Sequence, residues 1–109
     1  CGTLFPYTTL FRSLRVLETV GALRQDIAAA EREYQNLSTE RREIVADQER
    51  LRENMMALDR DSSLYRRYLG RLEQQETELE RLAQTMAEAE ENLRNARQSL
   101  TTYLGSLSR

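Results

Sequence analysis

Residues 58–65 read Leu-Asp-Arg-Asp-Ser-Ser-Leu-Tyr, and the phase of the apolar pattern on either side of them decides the fold. Before this stretch Val16, Val20, Leu23, Ile27, Ala30, Tyr34, Leu37, Arg41, Ile44, Gln48, Leu51, Met55 and Leu58 step by alternating fours and threes. After it Tyr65, Tyr68, Leu72, Gln75, Leu79, Leu82, Met86, Ala89, Leu93, Ala96, Leu100, Tyr103 and Leu107 step by the same intervals in the opposite phase. Such spacing puts each set on one stripe of an α-helix, at the a and d positions of a heptad. Folding the second run back on the first pairs Leu58 with Tyr65, Leu51 with Leu72, Gln48 with Gln75, and so on to Val16 with Leu107. Every pair joins an a position to a d position, as antiparallel packing requires. The pattern therefore predicts an all-α fold, a long antiparallel two-helix coiled-coil hairpin, with helix 1 over residues 14–58, a turn over 59–63 and helix 2 over 64–108.

The turn is where the phase is lost. If the stripe ending at Gln48 and Met55 ran on, it would pass through Ser62, Leu69, Glu76, Ala83 and Glu90 and bury two glutamates. Asp59 to Ser63 supplies the chemistry of a reversal, since Asp61 or Ser62 can cap the second helix by accepting from its free backbone N–H groups. No glycine stands there for a left-handed residue, a conformation that Asp tolerates. The rival architecture is one uninterrupted helix with a phase slip, dimerising in parallel; it would set Arg41 against its own copy at an a position. Gly21 and Gly70 interrupt the helices at roughly 1 kcal/mol each relative to alanine, too little to end either.

The facing layers complement one another. Tyr34 falls opposite Ala89, Ala30 opposite Leu93 and Ile27 opposite Ala96, so large meets small. Gln48 falls opposite Gln75, an amide pair that penalises slipped registers, because a shift by one heptad sets each glutamine against an apolar side chain. Arg41 faces Leu82, where its methylenes can pack while the guanidinium reaches water. Beside the seam, Asp47 falls near Arg71, Arg52 near Glu76 and Glu31 near Arg97, while Arg24 near Arg97 and Glu31 near Glu90 oppose; exposed pairs contribute about 0 to 1 kcal/mol each.

Composition restricts function more than it suggests one. Apolar residues are 39% of the chain, yet every seam position except Arg41, Gln48 and Gln75 is apolar or aromatic, so periodicity outweighs composition. Histidine and lysine are absent and the single cysteine is Cys1. The usual nucleophiles, bases and soft metal ligands are thus missing, and we expect no enzyme, no cofactor and no metal site. Glu88, Glu90 and Glu91 read as a solvated face. Sixteen basic residues, all arginine, are interleaved with eighteen acidic ones for a net charge of −2, which argues against nucleic acid as a partner because no continuous basic stripe is left to neutralise phosphates. No run approaches the roughly 18 consecutive apolar residues that span a bilayer. Nothing in the sequence assigns a compartment.

Two surfaces are candidates for contact. Arg60, Arg66, Arg67 and Arg71 gather near the turn with Tyr65 and Tyr68, and could engage a phosphate or an acidic partner. Leu17, Val45, Leu69 and Ala83 lie just beside the seam on positions that are usually charged, with Val45 expected to neighbour Ala83; they either meet a partner laterally or widen the hairpin's own core. Two arms of about 45 residues, each roughly 65 Å long, bury little of their surface, so a protein partner or a parent domain is expected, and a homo-oligomer is a further possibility.

Two resemblances follow from particular residues. Thr3 to Ser13, reading Thr-Leu-Phe-Pro-Tyr-Thr-Thr-Leu-Phe-Arg-Ser, resembles the translation of a common sequencing-library adapter codon for codon. That resemblance implies that residues 1–13 are an assembly artefact of a metagenomic fragment, disordered or irregular in structure, with the natural sequence beginning near Leu14. Asp47 to Met55 (Asp-Gln-Glu-Arg-Leu-Arg-Glu-Asn-Met), Leu58 to Leu69 (Leu-Asp-Arg-Asp-Ser-Ser-Leu-Tyr-Arg-Arg-Tyr-Leu) and Leu72 to Leu79 (Leu-Glu-Gln-Gln-Glu-Thr-Glu-Leu) together resemble the helical C-terminal region of the bacterial family called domain of unknown function 4139. The resemblance covers about a third of the chain. It implies a hairpin appended to a larger, β-rich body and carries over no functional residues. The complete use of arginine over lysine points likewise to a GC-rich bacterial coding sequence. The expected function is a structural or protein-interaction hairpin; the alternative is nucleic-acid or anionic-surface binding through the arginine-rich tip.

Overall fold

A computed structural model describes residues 5–108. The protein is all-α: α1 spans Phe5–Met56, α2 spans Ser63–Leu107, and the two form an antiparallel helical hairpin. No strand occurs among the described residues.

The boundaries differ from expectation at three places, each for a local reason. α1 does not begin at residue 14 but at Phe5, so residues 5–13 are helical rather than irregular; residues 1–4 lie outside the described residues. Pro6 falls in the first turn, where a missing N–H leaves no bond unmade, and neither glycine nor a second proline follows before Gly21. This extension rests on propagation and not on packing, since Leu10 is 57% and Phe11 71% exposed. At its other end α1 stops at Met56 and not at Leu58, because the last turn tightens: the N–H of Ala57 donates to Asn54 O at 3.3 Å and that of Leu58 to Met55 O at 3.1 Å. The turn thus occupies residues 57–62 in place of 59–63, and α2 starts at Ser63.

Of the two proposed caps, Ser62 serves. Its Oγ accepts from the Tyr65 N–H at 3.1 Å and donates to the Asp59 carbonyl at 2.7 Å, while its own N–H reaches the same carbonyl at 3.0 Å. Asp59 O therefore ties the turn to the helix start. No residue among those described has a positive φ, so the reversal dispenses with the left-handed residue that often ends a helix.

The described residues divide into two compact units, one comprising residues 33–90 and the other the described residues on either side of it. In the first, Leu37, Leu82 and Ala89 are buried and Tyr34, Ile44 and Met86 pack against them. Toward the turn Leu51 and Met55 are also buried. Arg41 is exposed while its facing residue Leu82 is buried. In the second unit Val16, Val20, Leu23, Ile27 and Ala30 of α1 and Leu93, Ala96, Leu100 and Tyr103 of α2 are half-buried. Along α2 every residue from Tyr65 to Tyr103 that is not exposed occupies a predicted seam position. Gly21 and Gly70 sit inside uninterrupted helix.

No side chain among the described residues is sealed completely. Two helices cannot surround a residue, so each seam side chain keeps an edge toward solvent.

Candidate interaction surfaces

The most ordered polar chemistry lies at the layer of Gln48 and Gln75, which are 4% and 8% exposed. The two amides share the layer as expected, but the hydrogen bonds run elsewhere. Gln75 Nε2 donates to Asp47 Oδ2 at 2.6 Å and Gln48 Nε2 to Glu76 Oε1 at 3.0 Å. Carboxylates win because a bond to a charged acceptor is stronger than one between amides. Asp47 immediately precedes Gln48, and Glu76 immediately follows Gln75, so the acids flank the seam at g and e positions on its opposite edges. Arg71 reaches Asp47 at 3.3 Å, Arg50 also pairs with it, and Arg52 stands 4.0 Å from Glu76. The Gln75 hydrogen bond, aided by the Arg50 and Arg71 charges against the opposing effect of burial, holds the Asp47 carboxyl below its ordinary pKa. Gln75 Oε1 is buried with no hydrogen-bond partner among the described residues. Sequence reasoning placed the glutamines and the Asp47–Arg71 and Arg52–Glu76 pairs. It missed the amide-to-acid bonds, for which the signal was an acid adjacent to each seam glutamine.

The tip arginines do not form one anion site. Arg71 is directed to Asp47, and Arg66 Nη2 donates to the Asp61 carbonyl at 3.3 Å. Arg60 and Arg67 are exposed. Tyr65 and Tyr68 are half-buried in the seam, so their rings serve packing and not an open stacking platform.

The lateral candidates have a common address. Leu17 follows Val16, Val45 follows Ile44, Leu69 follows Tyr68 and Ala83 follows Leu82, which places all four at e positions. All are exposed, Leu17 at 68%, Val45 at 39% and Leu69 at 44%. The ion pairs Arg52–Glu76 and Glu31–Arg97, the latter at 3.3 Å, also join e positions.

A concavity of about 400 Å³ opens beside the turn, with Met55, Leu58, Tyr65 and Leu72 as apolar lining and Met56, Arg52 and Arg60 at its margins. Two further hollows are lined by α1 alone, one by Glu43, Ala46, Asp47 and Arg50 and the other around Val45 and Arg41. These are gaps between long side chains on one helix, without an opposing wall.

No group of three or more residues able to hold a metal ion occurs among those described. No helix they form is long and apolar enough to cross a membrane. Comparison with protein-family models, curated proteins and solved structures finds no match.

Proposed function

We propose that this chain is a structural or protein-interaction coiled-coil hairpin with no reaction of its own, part of a larger bacterial protein related to the domain of unknown function 4139 family. The observation that carries the interaction reading is that Leu17, Val45, Leu69 and Ala83 are exposed on one kind of heptad position while the adjacent seam residues Val16, Ile44 and Tyr68 are half-buried and Leu82 is buried. These positions are usually charged in such a helix, and a partner surface would bury the apolar side chains that stand there. The larger-protein reading rests on the residues around the turn that resemble that family. The artefactual origin of residues 1–13 rests on the adapter likeness, and the exposure of Leu10 and Phe11 agrees with a segment that has no packing role.

The genomic reading frame tests both. The expected frame runs upstream of Leu14 into a larger coding region and lacks residues 1–13; an initiation codon immediately before Leu14, or residues 1–13 encoded in the genome, overturns the corresponding half. For the lateral surface, Val45→Ser and Leu69→Ser are expected to leave the melting temperature unchanged. A fall comparable to that of Leu51→Ser would return these residues to the core.

A second reading, binding of nucleic acid or an anionic surface at the tip, rests on Arg60 and Arg67, the exposed arginines that are not directed to Asp47 or Asp61. Salt-dependent binding to DNA, RNA or anionic vesicles that is lost in Arg60→Ala with Arg67→Ala favours it.

A further inference from the structure

Building on the interaction reading, we infer that the concavity beside the turn docks an acidic segment of a partner protein, anchored by one large apolar side chain and held by carboxylates on Arg52 and Arg60. The floor is apolar: Met55 is 8% exposed, and Leu58, Tyr65 and Leu72 are half-buried. Met56 stands at its margin 87% exposed, the highest value among the exposed large apolar residues, and contributes nothing to the seam. A long thioether side chain left in water beside an apolar hollow is the kind of adaptable wall that accommodates an incoming side chain. Leu69, four residues after Tyr65 and three before Leu72, extends the same helical stripe.

The charge of the lining selects the occupant. It contains two guanidinium groups and no carboxylate. Arg60 makes no ion pair among the described residues. Arg52 pairs with Glu76 only at 4.0 Å, while Glu76 keeps its 3.0 Å bond from Gln48. Arg52 can therefore turn to an incoming carboxylate without leaving Glu76 bare. Guanidinium forks bind carboxylates in two-point geometry, and about 400 Å³ suits a leucine- or phenylalanine-sized anchor. A bilayer is the poorer occupant. A flat surface does not fill a hollow, whereas one large side chain of a peptide does.

The test is fluorescence anisotropy of the 109-residue chain with a fluorescein-labelled peptide, Ser-Glu-Glu-Leu-Phe-Glu-Asp-Ser-Gly. Two control peptides replace its acids by lysine or its Leu-Phe by serine, and sedimentation with phosphatidylserine–phosphatidylcholine vesicles is the parallel arm. The acidic apolar peptide is expected to bind saturably and each control at least about tenfold more weakly. Arg52→Ala with Arg60→Ala should weaken it by about tenfold or more, Met56→Ser by about threefold, and Arg66→Ala with Arg67→Ala should leave it unchanged. No saturable binding up to about 1 mM, binding indifferent to the Arg52, Arg60 and Met56 substitutions, or vesicle capture abolished by those same substitutions would overturn the inference. Intrachain crosslinking of Ile44→Cys with Leu79→Cys separates the failures. A crosslinked hairpin that binds no peptide sinks the docking site alone, whereas absence of the crosslink sinks the hairpin reading as well.

Discussion

Asp47 is the residue on which most of the polar chemistry converges, receiving Gln75 from across the seam and Arg50 and Arg71 from the surface. Its side chain is 17% exposed against 69% for Arg50 and 59% for Arg71, so the arginines are screened by water and the amide bond is the larger influence. Because the folded-state pKa lies below the unfolded value, the folded protein binds fewer protons in that range. The resulting stability is present above the unfolded value near pH 4 and is lost as pH falls through the folded one. Melting followed by circular dichroism at pH 7 and pH 3 should show a smaller acid-induced fall for Asp47→Asn than for the parent chain; equal falls would deny the carboxylate this role. The hydrogen-bond pattern also orders two double-mutant cycles. Coupling between Gln75 and Asp47 is expected to exceed coupling between Gln48 and Gln75, since the first pair shares a bond and the second only a layer. The reverse order would restore the amide–amide pairing expected from the seam alone.

Helix termini and helix interiors carry distinct contributions. Ser62 satisfies one of the unpaired donors at the start of α2, and Ser62→Ala should cost about 1 kcal/mol of stability, read as a shift in the urea midpoint. Within α2, a Cβ built on Gly70 meets nothing within 4 Å, and the same holds for Gly21 in α1. Gly70→Ala should therefore stabilise by about 0.5–1 kcal/mol, through lower backbone entropy in the unfolded chain and better helix propensity. A destabilising outcome would mean that the surface around residue 70 is covered. The helices owe their persistence to the shared seam more than to their ends, because neither has acids in its first turn or basic residues in its last.

The hairpin as a unit is tested by proximity. Ile44 and Leu79 are half-buried seam residues that face each other in the antiparallel register. Cysteines in their places are expected to form a disulfide within one chain, seen as faster migration of a monomer on a non-reducing gel. A crosslink found only between chains would replace the hairpin by a dimer of rods. Replacing both glutamines by leucine should raise the melting temperature and at the same time let Ile44→Cys crosslink to Leu72→Cys, one heptad out of register, because the buried amides disfavour slippage at a cost in stability. Absence of slipped products would assign register to other layers.

Much of this architecture is legible from residue order, because helix burial repeats along one dimension: a 3.5-residue period names the covered stripe, and its reversal of phase at Asp59 to Ser63 names the fold. The exposed Arg41 and the cross-helix pairs Asp47–Arg71, Arg52–Glu76 and Glu31–Arg97 follow from the same register, whereas the choice of Ser62 over Asp61 as the cap does not. Other features depend on distances between side chains that the period does not specify. Gln75 had an amide and a carboxylate within reach, and its bond to Asp47 was settled by rotamers and by the stronger charged acceptor. The start of α1 at Phe5 was settled by propagation past a tolerated Pro6. The exposure of Val45 and Leu69 and the hollow flanked by Met56 exist only once two helices are packed. A pair of cylinders in contact covers a narrow strip of each, and which neighbours of that strip remain open is a property of the packed shape and not of the order of residues.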